Sequence, residues 1–466
     1  MFQKEIYQNR RAQLIEKIDS GIILIMGNQE SSMNYPSNTY KFRQDSNFLY
    51  YVGLNLPNMA MIIDVDAKKC TLYGDDFEID DIIWMGPQPK MTELAQKSAI
   101  ENTDSYANFD KVVEEAKKQN RKIHYLPPYR GESEIKLHNL LNIPFDELKS
   151  QASTELIKAI VAQREVKSDI EIEQMEIACE TGYKMQTTAM KMAKAGRKEA
   201  EIAGVLEGIA HSAGGNVSFP IILSQNGETL HNHDHSQTLE IGRMMLVDCG
   251  AENEMNYCSD YTRTIPVGGK FNDRQKTVYQ IVVDANIKAI EAIKPNVLYR
   301  DIHFLACEII VDGLKDLGIM KGDTKKAVEL GAHALFMPHG LGHQIGLDVH
   351  DMEDLGENFV GYDDKTKRSE LFGTAYLRMG KELKTGFVLT VEPGIYFVPT
   401  LIDIWKNENK FTEFINYDEV EKYKDFGGIR IEDDVLVTEN GYRVLGRPVP
   451  KTIEEVEKFM SENMID

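Results

Sequence analysis

Over residues 1–160, short apolar runs alternate with polar stretches. GIILIMG, NFLYYVGL, MAMIIDVD, KCTLYGD and KIHYLPP are bounded by Gly, Pro, Asp or other polar residues. Runs of this length read as buried strands, with helices in the stretches between them. The pattern predicts a small α/β domain.

A different pattern begins at Ser168-Asp169-Ile170-Glu171, where the serine hydroxyl and the glutamate are spaced to satisfy free amides at a helix start. Ile172, Met175, Cys179, Gly182 and Met185 then recur at three- and four-residue steps, along one helix face. A second helix is predicted over Arg197–His211, with Ile202, Val205, Leu206 and Ile209 on its apolar side. Strands follow at SFPIILS, RMMLVDCG and YTRTIPV. The same order returns with helices over Asp273–Ile293 and Tyr299–Leu317, then strand-like GFVLTVEPGIYF and IRIEDDVLV. Two helices followed by strands, repeated once, predict a pseudo-symmetric domain with its site between the halves. The Pro127-Pro128 break and the polar KSQASTE stretch mark 149–160 as a linker zone. The predicted domains are therefore 1–160 and 161–466.

A chain of 466 residues is too long for one ordinary core, which agrees with two domains. The net charge of −21 argues against nucleic acid or an anionic membrane as partner, since both require a basic surface. Most of the acidity reads as surface solubility, but a cation-binding carboxylate cluster would also count as negative. Five scattered cysteines without a CxxC pair fit a reducing compartment. The opening MFQKEIYQNRRAQLIEKI has no apolar core of signal-peptide length, and Ile22–Met26 is too short to span a bilayer. A cytoplasmic location is expected.

The chemistry is carried by acids and imidazoles inside β segments, where packing does not explain a charge. Asp248 ends the run MMLVD, Glu392 sits in VLTVEPG, and Glu432 follows GGIRI. A buried carboxylate stays ionised only if it is paired, hydrogen-bonded or bound to a cation. Asp248 and Asp260 lie on strands joined by a turn around Glu252–Asn256, so a hairpin can bring both to one face. His339 and His343 occur in HGLGHQIG, and His350 in LDVHD. Four carboxylates about 4 Å apart would each repel a neighbour by roughly 4 kcal/mol at an effective dielectric near 20. Two divalent cations cancel four acids, with neutral His343 as a fifth ligand. This oxygen-rich set suits Mn²⁺ best, with Co²⁺ or Zn²⁺ as alternatives. Two metals roughly 3.5 to 4 Å apart can hold a water between them, lower its pKa and stabilise the oxyanion formed at a carbonyl. The expected chemistry is hydrolysis of a carbonyl–nitrogen bond.

At LVDCGAE, SDYTRT, HGLGHQIGLDVHD, VLTVEPGIY and GGIRIEDD, and in the first domain at FRQDSNFLYYVGL, the sequence closely resembles the pita-bread proline-directed peptidases. These are the Xaa-Pro aminopeptidases (aminopeptidase P) and Xaa-Pro dipeptidases (prolidases), and the resemblance covers almost the whole chain. It implies an N-terminal α/β domain like that of creatinase and aminopeptidase P, followed by a pita-bread α+β catalytic domain. It also implies removal of the N-terminal residue from peptides with proline second, and a homo-oligomer, dimer or tetramer. By this resemblance Asp248 binds one metal, Asp260 and Glu432 bridge both, and His343 and Glu392 complete the second, with Glu392 also a proton shuttle. The outer-site residues carry over to His231, His339, His350 and Arg430 in catalysis and to Tyr396 in binding the substrate. The turn between the two aspartates is a residue longer than the family pattern.

Blander readings stand beside these. His233 and His235 in HNHDH read as a solvated loop. Cys249 and Cys258 adjoin ligand positions but face the other way along a strand, as packed thiols. His339 reads as orienting the site more than as a third ligand. Arg430 and Glu432 could form a structural ion pair. Arg378 is a candidate for a substrate carboxylate or a surface salt bridge, and Lys381 and Lys384 could do the same work. The alternatives are a prolidase limited to dipeptides, which the long insert between Tyr396 and Gly427 resembles, a non-catalytic peptide-binding pita-bread protein, and a metal-free creatinase. Retention of all five ligand side chains disfavours the last two.

Overall fold

In the computed structural model, which describes residues 1–465, the chain divides into two units. One comprises Met1–Arg164 with Asp354–Phe359, and the other Glu165–Glu353 with the chain from Val360 onward. Asp466, the last position of the predicted second domain, lies outside the described residues.

The first unit holds strands β1 (Ile22–Met26), β4 (Ala60–Asp64), β5 (Lys69–Tyr73), β6 (Asn102–Asp104) and β7 (Ile123–His124), in the order β6-β5-β4-β1-β7. A separate hairpin is formed by β2 (Ser32–Tyr35) and β3 (Asn38–Thr39). The central pairings β1–β4 and β4–β5 are antiparallel, and the outer ones, β5–β6 and β1–β7, parallel. Ile22–Ile25 are all buried, as the unbroken apolar run requires of a strand covered on both faces. The Tyr106–Lys118 helix packs on this sheet through buried Phe109, Val113 and Ala116.

One predicted strand is a helix. NFLYYV forms most of Ser46–Val52, started by Asp45, whose side chain accepts from the Phe48 amide, and closed by Gly53 at φ 77°. Every residue of this helix is buried, so no polar face revealed its period. KIHYLPP is a strand only at Ile123–His124.

In the second unit the Asp169–Met192 helix begins at the predicted capping box, with Met175, Cys179, Gly182 and Met185 buried. It pairs with the Glu199–Ser212 helix, where Ile202 and Leu206 are buried but Val205 is 42% exposed. Strands β8 (Ile222–Ser224), β9 (Met244–Cys249) and β10 (Tyr261–Pro266) form an antiparallel sheet ordered β10-β9-β8. The helices Asp273–Ala292 and Tyr299–Asp316 pair in turn. They precede β11 (Val388–Val391), β12 (Gly394–Tyr396), β13 (Gly428–Arg430), β14 (Asp433–Thr438) and β15 (Gly441–Val444). The order of helices and strands thus repeats.

Two of the predicted strands are each broken in the middle. Val391 pairs with Asp433 at the end of the β11–β14 ladder, and Gly394 pairs with Arg430 at the start of β12–β13. Between these ladders Glu392-Pro393 faces Ile431-Glu432. Pro393 has no amide hydrogen, so continuous pairing is interrupted there. The two glutamates sit in the break.

No described helix is long and apolar enough to cross a membrane.

Candidate metal centre

Asp248 on β9 pairs with Thr262 on β10. Asp260 lies two residues before Thr262, so the pleat puts Asp248, Thr262 and Asp260 on one face. The turn between them contains Asn256 at φ 64°, a left-handed conformation that asparagine tolerates well. The edge of this hairpin meets the broken ladder: the Glu432 amide donates to the Thr262 carbonyl at 3.0 Å, and the Arg430 amide to Thr264 Oγ1 at 3.1 Å. Thr262 Oγ1 in turn donates to Glu432 Oε2 at 2.6 Å.

His343 arrives on the segment 338–343. Its amide donates to Thr390 Oγ1 at 3.1 Å, and the Thr390 amide donates to its carbonyl at 2.9 Å. The Glu392 amide donates to the Leu341 carbonyl at 2.8 Å. Gly342 permits this approach, because a Cβ there would lie 2.1 Å from the Thr390 carbonyl oxygen. His343 Nε2 thereby stands 3.5 Å from Asp260 Oδ2 and 3.7 Å from Glu392 Oε1. Asp260, His343 and Glu432 offer ligand atoms within 4.8 Å of one another.

The acids repel one another in a poorly solvated place. Burial, then Glu432 and Asp248, pushes the Asp260 carboxyl well above the usual range. Burial, then Glu392 and Asp248, does the same to Glu432. Glu392 is carried up to about 7, burial outweighing the pull of Arg430. Burial holds the His343 imidazole neutral, well below its ordinary value. Asp248 Oδ1, Asp260 Oδ1 and Glu432 Oε1 are buried without any hydrogen-bond partner. An unmet buried acceptor costs roughly 1–3 kcal/mol, and three belonging to mutually repelling acids are what bound cations would satisfy. The donor set, four carboxylates and one neutral imidazole, fits hard or borderline divalent ions.

A cavity of about 530 Å³ opens onto this cluster. All five predicted ligands line it, together with His231, His339, His350, Arg378 and Arg430. Exposed His231 and Tyr376 mark its mouth.

A family model for metallopeptidase family M24 matches residues 173–439, more than half of the chain. The chain belongs to metallopeptidase family M24. Preceding the M24 region, residues 7–124 match the aminopeptidase P N-terminal domain. Across 99% of the chain it is 32% identical to the "Probable Xaa-Pro aminopeptidase PEPP" of Paracoccidioides lutzii, covering 97% of that protein. It is also 32% identical to the human Xaa-Pro dipeptidase, over 95% of this chain and 90% of that one. Among solved structures, the Pseudomonas aeruginosa aminopeptidase PepP superposes with a TM-score of 0.81 at 25% identity, covering 99% of both chains. Zinc-substituted Escherichia coli aminopeptidase P in complex with product matches at 0.81 and 25%, over the full length of both. The fold is an N-terminal α/β domain followed by a pita-bread domain, as expected.

The predicted outer residues around the acid cluster are tied down by a polar network. Arg430 donates to Asp248 Oδ2 at 2.7 Å, to the Tyr396 hydroxyl at 2.8 Å and to Thr262 Oγ1 at 3.2 Å. Tyr396 is fully buried and does not line the cavity, so the tyrosine expected to bind substrate stands behind the wall. Its hydroxyl lies 3.0 Å from His339 Nε2, and His339 Nδ1 lies 2.7 Å from the Gly340 carbonyl. Both ring nitrogens of His339 are thus engaged, as an orienting role requires. Its imidazole is pressed down to about 3 by burial and by Arg430. Partial desolvation of its ring at the cavity mouth, then Arg430, also lowers His231. His350 Nδ1 is 2.5 Å from Glu353 Oε2, and the other Glu353 oxygen is 3.2 Å from Arg378.

Lys381 and Lys384 do not join Arg378. Both pair with Glu165, at 2.6 and 2.8 Å, and neither lines the cavity. Cys249 and Cys258 are buried, His233 is exposed and His235 half-buried. Thr262, Thr390 and Glu353 escaped the sequence reading. For Thr262 a signal existed, since it alternates with Asp260 along one strand.

Proposed function

We propose that this chain is an Xaa-Pro aminopeptidase. The observation that carries the reading is the convergence of Asp248, Asp260, His343, Glu392 and Glu432 on one cavity, with three carboxylate oxygens unsatisfied. Asp248 would hold one cation, Asp260 and Glu432 would be shared by two, and His343 and Glu392 would hold the second, with Mn²⁺ the best match and Co²⁺ or Zn²⁺ the alternatives. Bound there, such ions supply Lewis acidity, which acidifies water and polarises a carbonyl oxygen.

The remaining steps belong to side chains. Glu392, at the cavity edge of the acid cluster, takes up and releases a proton at its carboxylate. His231, at the mouth, donates to the oxygen on which charge develops. His350, whose Nδ1 contacts Glu353, protonates the leaving proline nitrogen in this reading. His339, Tyr396 and Arg430 fix the wall. The bond before proline is a tertiary amide with no hydrogen to grip, so recognition rests on shape and on the substrate's ends.

A prolidase is the second reading, favoured by Arg378, a cation in the cavity wall able to meet a dipeptide carboxylate. Against it, no residue of the 399–426 insert lines the cavity, so the insert does not narrow the site. Rates on Xaa-Pro, Xaa-Pro-Yaa and longer peptides with Mn²⁺ test the choice: tripeptides and longer peptides should be cleaved, and turnover of dipeptides alone would overturn the aminopeptidase reading.

Location in a reducing cytoplasm is supported by five free cysteines. Self-association into a dimer or tetramer is supported by the cluster of exposed Ile79, Ile83, Trp84 and Met85 in the first unit. Sedimentation of the purified chain checks it.

A further inference from the structure

A second group of metal-ligating side chains lies outside the acid cluster. His303 and Cys307 are one helical turn apart on the Tyr299–Asp316 helix, so they share a face. His333 comes from the single turn Ala332–Leu335 packed against that helix. All three side chains are wholly closed to solvent, and they offer ligand atoms within 4.8 Å of one another.

The bland account is a thiol packed against an imidazole, with the Cys307 sulfur 3.6 Å from His303 Nε2. That account leaves His333 unexplained. Its ring has the Val328 backbone as its one polar neighbour, which can engage a single nitrogen and leaves the other unmet although the residue is fully buried. A neutral imidazole carries one donor and one acceptor, and a backbone carbonyl takes only the donor, so an acceptor nitrogen left unmet in the interior is a penalty that folded chains ordinarily avoid. The 3.6 Å separation also equals the N to S distance, about 3.6 Å, that follows from tetrahedral zinc with Zn–N near 2.0–2.1 Å and Zn–S near 2.3 Å.

We propose that His303, Cys307 and His333 bind a zinc ion, separate from the acid cluster and different from it in ligand chemistry. One thiolate and two imidazoles form a soft, nitrogen- and sulfur-rich set that selects Zn²⁺ over the harder ions suited to carboxylates. On binding, the thiol gives up its proton to solvent and its sulfur lone pair to the ion, while each imidazole donates from an unprotonated nitrogen. Burial already keeps both imidazoles unprotonated. The ligands meet only in the folded chain, so the ion enters during folding. It would pin the turn at 332–335 to the helix just ahead of the 338–343 segment that delivers His339 and His343.

Cobalt(II) is the probe, because sulfur ligation gives a near-ultraviolet thiolate-to-cobalt charge-transfer band that carboxylate and imidazole ligands cannot give. The full chain is refolded with Co²⁺ as wild type, as Cys307→Ser and as Asp260→Asn. The band is expected in wild type and in Asp260→Asn, and its loss is expected in Cys307→Ser. Its absence from wild type, or its persistence in Cys307→Ser, overturns the proposal. If Cys307→Ser does not fold, His333→Asn serves: after expression with zinc, elemental analysis should find one ion fewer per chain than in wild type. An unchanged ion count overturns the site.

Discussion

The Arg430 guanidinium lies 2.7 Å from Asp248 Oδ2, with the two side chains 4% and 11% exposed. It is the cation in direct contact with the acid cluster, and it also donates to Tyr396 and Thr262. Without bound metal, its removal leaves the Asp248 carboxyl without its guanidinium partner beside Asp260, Glu392 and Glu432. Breaking a buried pair from one side costs roughly 3–5 kcal/mol. Arg430→Met should therefore destabilise the chelated protein by about that amount, and saturating Mn²⁺ should recover much of the loss. Urea unfolding with chelator and with Mn²⁺ measures both quantities, and equal losses under the two conditions would refute the assignment.

Glu432 behaves in the opposite way. It is buried among repelling carboxylates, with Oε1 unsatisfied, so replacing it by Ala removes repulsion in the apo protein. Turnover should fall on the order of 10³-fold or more while the unfolding midpoint of the chelated protein holds or rises. Retained turnover would count against Glu432 as a shared ligand.

These two residues show how far the sequence could be read. Asp248, Glu392 and Glu432 stand out because charged residues interrupt apolar β segments, and Asp260 because a hairpin turn brings it to the face of Asp248; all four meet at one cavity. The way Glu392 and Glu432 meet was not legible: it depends on Pro393 breaking one ladder opposite Ile431-Glu432, a register that no single segment encodes. The buried Ser46–Val52 helix was misread for a related reason, since burial on every side erases the period that separates helix from strand. The ties between Glu165 and the lysines, and between Glu353, His350 and Arg378, join residues whose chain spacing carries no signal. Thr390 was hidden because a threonine inside VLTV reads as ordinary strand.

Arg378 borders the cavity and shares Glu353 with His350. If it meets the carboxylate at the far end of a short substrate, Arg378→Ala should raise KM for Xaa-Pro-Yaa about tenfold with a smaller change in kcat, the signature of lost uniform binding. The C-terminal amide of the same peptide should be nearly indifferent to the substitution. Equal KM increases for acid and amide would assign Arg378 to structure alone.

Glu165 accepts from Lys381 Nζ at 2.6 Å and Lys384 Nζ at 2.8 Å, and its side chain is 6% exposed. Burial raises its carboxyl and the two lysines lower it further than burial raises it, so the folded value lies below the ordinary 4.5. Burial outweighs the carboxylate at Lys381, whose ammonium is lowered, yet an amine starting from 10.5 still carries its charge in acid. A carboxyl depressed by folding contributes stability that is complete above its unfolded value and disappears as pH falls through the folded one. Wild type should therefore lose stability between about pH 5 and pH 3 through this group, a loss missing from Glu165→Gln. Near pH 7 the variant should be less stable by roughly 3 kcal/mol, because two lysines are left facing a neutral amide. The gap between the two proteins should narrow as the medium is acidified. Urea midpoints at pH 7, 5 and 3.5 follow that convergence, and a gap that stayed constant or widened in acid would remove Glu165 as the carrier of this pH dependence.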